Sequence, residues 1–199
     1  QQPMIDASES MKVSYLVYSF LKASEFDVVF FPEWQGVGYL SLVAKKDGLF
    51  FENVRFVVGL HGPTAWVAES NKGDISGEQE HEMNFLERQS VAFADAVWAP
   101  SVEIYKWATE NDWTMPAQTF LLPLPVSRVV EAKRESGEKI QELVFFGRFE
   151  TRKGLVLFCD ALDHLNAKSV SAKVTFLGTA GQEYVDNMDT VSYINKRAA

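Results

Sequence analysis

The chain has 199 residues, 47% of them apolar, with one cysteine and a formal net charge of −8 from 19 Lys or Arg against 27 Asp or Glu. That length suits one or two moderate globular domains; the acidic balance excludes broad nucleic-acid binding, which needs clustered cations, and one cysteine excludes a disulfide framework or a thiolate metal cluster. No apolar run approaches the ~20 residues that cross a bilayer, and no basic leader with an apolar core opens the chain, so no transmembrane segment and a cytoplasmic location are expected.

Residues 1–10 are polar, and MKVSYLVYSFLKA (11–23) spaces its apolar side chains like a helix. DVVFFP (27–32) reads as a short strand ended by Pro32, and a helix is expected from about Val37 to Lys46, stopped by Asp47-Gly48. Between them, Gly36-Val37-Gly38 lacks the third glycine of a dinucleotide fingerprint, Ser41 standing in its place, and is read as allowing a close backbone approach to ligand. NVRFVVGL (53–60) is the next buried strand, and ESNKGDISGEQE (69–80) a polar surface loop. A helix over roughly 80–94 should turn Met83, Leu86, Ser90 and Phe93 to a core. AVWAP (96–100) is a strand, and Ser101 caps a helix running to about Asn111. FLLPLPV (120–126) leads out through two prolines.

Residues 127–142 are charged and poor in bulky groups, which reads as an interdomain linker at 128–142 between a first domain (1–127) and a second (143–199). LVFFG, a helix from about Gly154 to Asn166, and KVTFLGT (173–179) restore the β-α-β order. Strands alternating with helices imply an α/β fold with Rossmann-like parallel sheets and helices on both faces. The second part carries seven Lys or Arg against six Asp or Glu, the first 142 residues twelve against twenty-one; a compact anion is therefore drawn toward the second part.

The most informative segment is LVFFGRFETRKG (143–154). An apolar strand stops at Gly147, two cations follow at Arg148 and Lys153, and a helix opening near Gly154 offers unpaired N–H groups and a positive dipole end. In open α/β sheets ligands bind at this end of the strands, so the segment reads as a phosphate site. The spacing is not that of a Walker loop, and no G-x-G-x-x-G is present here.

Gly147, Arg148, Lys153, Gly154, Ala161 and Leu162, in that order and spacing, resemble the nucleotide-sugar site of the family-four retaining glycosyltransferases with the two-domain GT-B fold. The resemblance covers about residues 27–178. It implies that Arg148 and Lys153 contact a donor diphosphate, Arg152 being an extra cation outside the pattern, and that a sugar passes from a nucleotide-diphosphate donor to an acceptor hydroxyl without a metal or other cofactor. The acceptor would be a glycan, a lipid or a small molecule. The family's amino-terminal glycine-rich turn and its later pair of glutamates seven residues apart do not occur in this chain, so both domains are expected to be incomplete and the chain inactive alone.

HGPTAW (61–66) follows a strand, and the family similarly carries His-Gly or His-Asp at such a point. The resemblance therefore places His61 beside the transferring sugar, with Gly62 and Thr64 lining the acceptor side; a histidine that only satisfies its loop is the alternative. Pro63, Thr64 and Trp66 are read as shaping the acceptor pocket, with a place in the core as the alternative for Trp66. Glu33 and Trp34, at the end of another strand, are read either as ligand contacts or as packing. Glu87, Asp95 and Ser101 match a family run and look architectural. Cys159 reads as a packed thiol, and His81 and His164 as surface residues without metal-ligand spacing. A rival to the transferase is a non-catalytic nucleotide- or sugar-binding α/β module.

Overall fold

A computed structural model describes residues 7–126, 140–170, 172–181 and 184–197. The chain divides into two compact units, the first from Gln1–Ala68 with Asp74–Val126, the second from Glu69–Gly73 with Ser127–Ala199. Most of the expected linker, residues 128–139, lies outside the described residues, and its last residue, Glu142, already opens a strand.

The first unit is built on four parallel strands, β1 (Val28–Pro32), β2 (Arg55–Gly59), β3 (Ala96–Ala99) and β4 (Thr119–Leu121), paired in sequence order. Phe30 is opposite Val57, Val58 opposite Val97, and Trp98 opposite Phe120. Helix α1 (Glu9–Lys22) precedes β1, α2 (Tyr39–Lys46) joins β1 to β2, α3 (Thr64–Ser70) and α4 (Glu78–Phe93) join β2 to β3, and α5 (Val102–Glu110) joins β3 to β4.

Local chemistry accounts for the helix ends. Ser8 Oγ accepts from Met11 N at 3.2 Å and Ser101 Oγ from Ile104 N at 3.4 Å, each meeting an orphan donor of the first turn. Glu80 reaches back to accept from Ser76 N and Gly77 N before α4. The helix from Glu78 starts two residues earlier than expected, and α3 occupies the front of a stretch read in part as loop. Its signal is Pro63, whose missing N–H is harmless at a helix start.

Helices were expected on both faces of the sheet. Strands taken in order with right-handed crossovers place their connecting helices on one side, and the burial follows: Phe31, Phe56, Val58, Val97 and Ala99 share a core with Leu42, Val91 and Ile104. Val28, Phe30 and Phe120, on the opposite face, stay exposed. The small buried Ser10 and Ser14 let α1 lie close to α2, with Ser14 Oγ accepting from Leu40 N at 3.0 Å.

The second unit holds β5 (Glu142–Phe146) parallel to β6 (Lys173–Leu177), with α6 (Leu155–Ala167) between them, a short antiparallel pair β7 (Tyr184–Val185) and β8 (Met188–Asp189), and α7 (Thr190–Arg197). Its core is Phe145, Phe149, Leu155, Cys159, Tyr193 and Ile194, with Phe158 and Phe176 against it. The apolar run of β5 suits a buried strand. Only Phe145 is buried, because the described helices cover one side of this two-stranded sheet and leave Val144 and Phe146 exposed. Both units are α/β, with Rossmann-like parallel strands.

Candidate functional site

In the first unit the segments after β1 and β2 are tied together by two buried acids. Glu33 follows β1 and has no exposed surface. Its carboxylate accepts from His61 N at 2.8 and 2.9 Å and from Gly62 N at 2.6 Å. Burial pushes this carboxyl above the ordinary range while those amides pull it back. The expectation that Glu33 touches ligand is thereby corrected: the side chain turns inward and spends both oxygens on the backbone of the next loop.

Glu87 comes up from α4, also without exposed surface. Oε1 accepts from Gln35 N at 3.0 Å and from the Thr64 hydroxyl at 2.8 Å, and Oε2 accepts from Thr64 N at 2.8 Å. Desolvation is the main cause that pushes its carboxyl to about 7, and the neighbouring Glu33 charge acts in the same direction. Gln35 is held at φ 56, uncommon for a residue with a side chain, in a short 3-10 turn over Trp34–Gly36. The next residue must be glycine, since a Cβ at Gly36 would overlap Leu86 of α4. A Cβ on Gly38 would come within 2.6 Å of the Phe31 ring. These glycines seat the loop on the protein's own core, which corrects the reading that they admit a ligand.

The groups left facing outward are His61, exposed, with its ring edge-on to Trp98 at 5.2 Å, and Trp34, 55% exposed. Gly62 and Thr64 are half-buried, and Trp66 is half-buried within α3. Phe30 lies 5.7 Å from Trp98, so Phe30, Trp98 and His61 form a row that sequence reasoning missed. Its signal was the shared period-2 face of β1 and β3. Asp95 is architectural as expected: it accepts from Phe56 N and pairs with Lys45 at 2.6 Å.

In the second unit β5 ends at Gly147, with φ 147, and a 3-10 turn Thr151–Lys153 leads through Gly154 into α6. Gly154 takes φ 84, a left-handed conformation that costs glycine little, and no side chain caps the helix. Arg148 is 57% exposed and Lys153 is exposed. Between them sits a residue not foreseen as part of the site: Glu150, nearly buried, pairs with Arg148 Nε at 3.1 Å and Arg152 Nε at 2.7 Å. Arg152, the extra cation, is itself mostly buried, and its N–H donates to Asn71 Oδ1 within the same unit. Its place among three cations in GRFETRKG was the available signal.

Cys159 is fully buried on α6, and burial pushes its thiol up, consistent with a packed side chain. His81 and His164 are exposed. Among the described residues no group of three or more His, Cys, Asp or Glu is arranged to hold a metal ion, and no helix is long and apolar enough to cross a membrane. No protein-family model matches the chain, and no curated protein matches it.

Proposed function

We propose that the chain is part of a glycosyltransferase that moves a sugar from a nucleotide-diphosphate donor to an acceptor hydroxyl, with retention at the transferred carbon and without a metal. The observation that carries the reading is the loop after β5, where the exposed Arg148 and Lys153 precede an α6 first turn that no side chain caps. Backbone N–H groups and the helix dipole favour an anion there. As the bond from sugar to phosphate oxygen breaks, its electron pair passes to the diphosphate; two cations held beside that oxygen stabilise the transition state more than the ground state. The acceptor oxygen forms the new bond to the transferred carbon, and its proton passes to the departing diphosphate oxygen. His61, Gly62, Thr64 and Trp34 supply the sugar and acceptor contacts in this reading.

Glu150 sets a condition on it. With Glu150 on its Nε, Arg148 meets a phosphate through its remaining N–H groups and with its charge already partly compensated, so the net gain is smaller than for a free guanidinium. Calorimetric titration with UDP, GDP and ADP tests the reading directly. Arg148→Ala and Lys153→Ala should each weaken binding of the preferred nucleotide by roughly tenfold or more, the scale of a hydrogen bond to a charged group. In the protein that carries the whole active site each should cut turnover by ~10²-fold. Unchanged affinity in both variants refutes the diphosphate assignment. Nucleotide binding that never leads to transfer supports the non-catalytic module instead.

A further inference from the structure

Glu33 and Glu87 are fully buried, yet neither forms an ion pair among the described residues. Five donors converge on them: the backbone N–H groups of Gln35, His61, Gly62 and Thr64, and the Thr64 hydroxyl. All five lie on the two segments that follow β1 and β2, the Thr64 pair at the first residue of α3. The charged groups on the elements packed around the pair are engaged elsewhere, exposed or, at Lys12, half-buried. On α1, Glu9 and Lys22 are exposed and Lys12 is half-buried. On α2, Lys45 is held by Asp95 and Lys46 lies over Phe93. On α4, Arg88 donates to Asp112 O, Glu82 accepts from Ser8, Glu80 caps the helix start and His81 is exposed. His61 rests its exposed ring on Trp98.

We propose that Glu33 and Glu87 act as a buried positioning pair in which one proton, taken up by Glu87, reverses the hydrogen bond of the Thr64 hydroxyl and releases the Gln35 backbone. The turn after β2 then carries one donor pattern in its acid form and another in its base form. With Glu87 ionised, the Thr64 hydroxyl donates to Oε1 and its lone pairs are free. With a proton on Oε1, that oxygen becomes a donor; the Thr64 hydroxyl rotates to accept from it, and its own hydrogen becomes available to a ligand. Gln35 N, which shares Oε1, loses a charged acceptor, so the backbone held at φ 56 loses much of what holds it. The proton comes from solvent, and no covalent bond other than O–H changes. Glu33 keeps its amide donors throughout and fixes His61 and Gly62 beside the moving group. Two like charges in one buried site make single protonation the less costly state, and burial places the change near neutrality. The inference is independent of what the chain transfers.

The test is a pH titration followed through backbone amide resonances. Gln35 and Thr64 should shift together with a midpoint at about 7, and Glu87→Gln should abolish that shift. Glu33→Gln should move the midpoint to lower pH, because a like charge is gone. Thr64→Val, which needs no change at the buried acid, should move it to higher pH, because the hydroxyl's bond to the ionised carboxylate is stronger than the one it makes to the neutral acid. Flat Gln35 and Thr64 signals between about pH 5.5 and 8.5 overturn the proposal. So does a transition that survives Glu87→Gln and disappears in His61→Gln, or a midpoint that Thr64→Val leaves unmoved.

Discussion

Replacing Glu87 by glutamine gives the sharpest energetic test of the buried acids. The folded protein raises this carboxyl from 4.5 to about 7, a difference of about 2.5 units; at 1.36 kcal/mol per unit this corresponds to about 3 kcal/mol. The folded state binds the proton more tightly than the unfolded chain, so this contribution to stability is fully present below about pH 4.5 and is lost as pH rises through about 7. Glu87→Gln cannot titrate. Its stability relative to the parent should therefore improve by about 3 kcal/mol between about pH 4 and 8, whatever constant cost the amide incurs by presenting an N–H to a donor. All five tryptophans, Trp34, Trp66, Trp98, Trp107 and Trp113, belong to the first unit, so denaturant unfolding followed by tryptophan fluorescence reads the stability of that unit alone. A stability gap that stays constant across the pH range refutes the reasoning, because it requires Glu87 to bind its proton equally well in the folded and unfolded states.

Other substitutions separate packing from chemistry. A Cβ at Gly59 would lie 2.7 Å from the Phe30 ring, 2.9 Å from Trp98 and 3.0 Å from His61; Gly59→Ala should cost about 1–3 kcal/mol by overpacking and shift the Trp98 emission, measured by denaturation and fluorescence. Ser101→Ala removes the oxygen that accepts from Ile104 N and should cost about 1 kcal/mol in the same unfolding assay. The buried Cys159 thiol should resist a thiol-specific reagent under native conditions and react fully in denaturant; rapid native labelling would mean that α6 opens readily.

The alternation of apolar runs with helical periodicity is enough to assign the α/β class, because each buried strand is short and each helix carries its own stop, as Asp47-Gly48 does after α2. Ser101 was legible for the same reason, its capping bond being local in sequence. Glu33 was not. A polar residue at a strand end ordinarily reads as a ligand contact; what turned it inward is a pair of amides 28 and 29 residues away, a partnership that no local pattern records. The one-sided covering of the sheet was likewise hidden, since it follows from strand order rather than from the composition of any strand. In the loop after β5 the spacing of cations was visible, but which acid pairs with which guanidinium depends on how the backbone turns from Glu150 into the 3-10 turn Thr151–Lys153.

The two units put similar strand-end geometry to opposite electrostatic uses. After β1 and β2, backbone donors that would otherwise face outward are taken up by carboxylates from within, so the loop shape depends on acids whose ionisation the interior resists. After β5 the arrangement is inverted: the first turn of α6 has no side-chain cap, the nearest acid is engaged by two guanidinium groups, and Lys153 stays exposed. An anion offered to the chain therefore meets repulsive buried charge at the first unit's loops and compensating charge at the second unit's loop. Raising pH deepens the first effect, as Glu87 ionises. That asymmetry makes the loop after β5, rather than the loops after β1 and β2, the more favourable place for an anionic group.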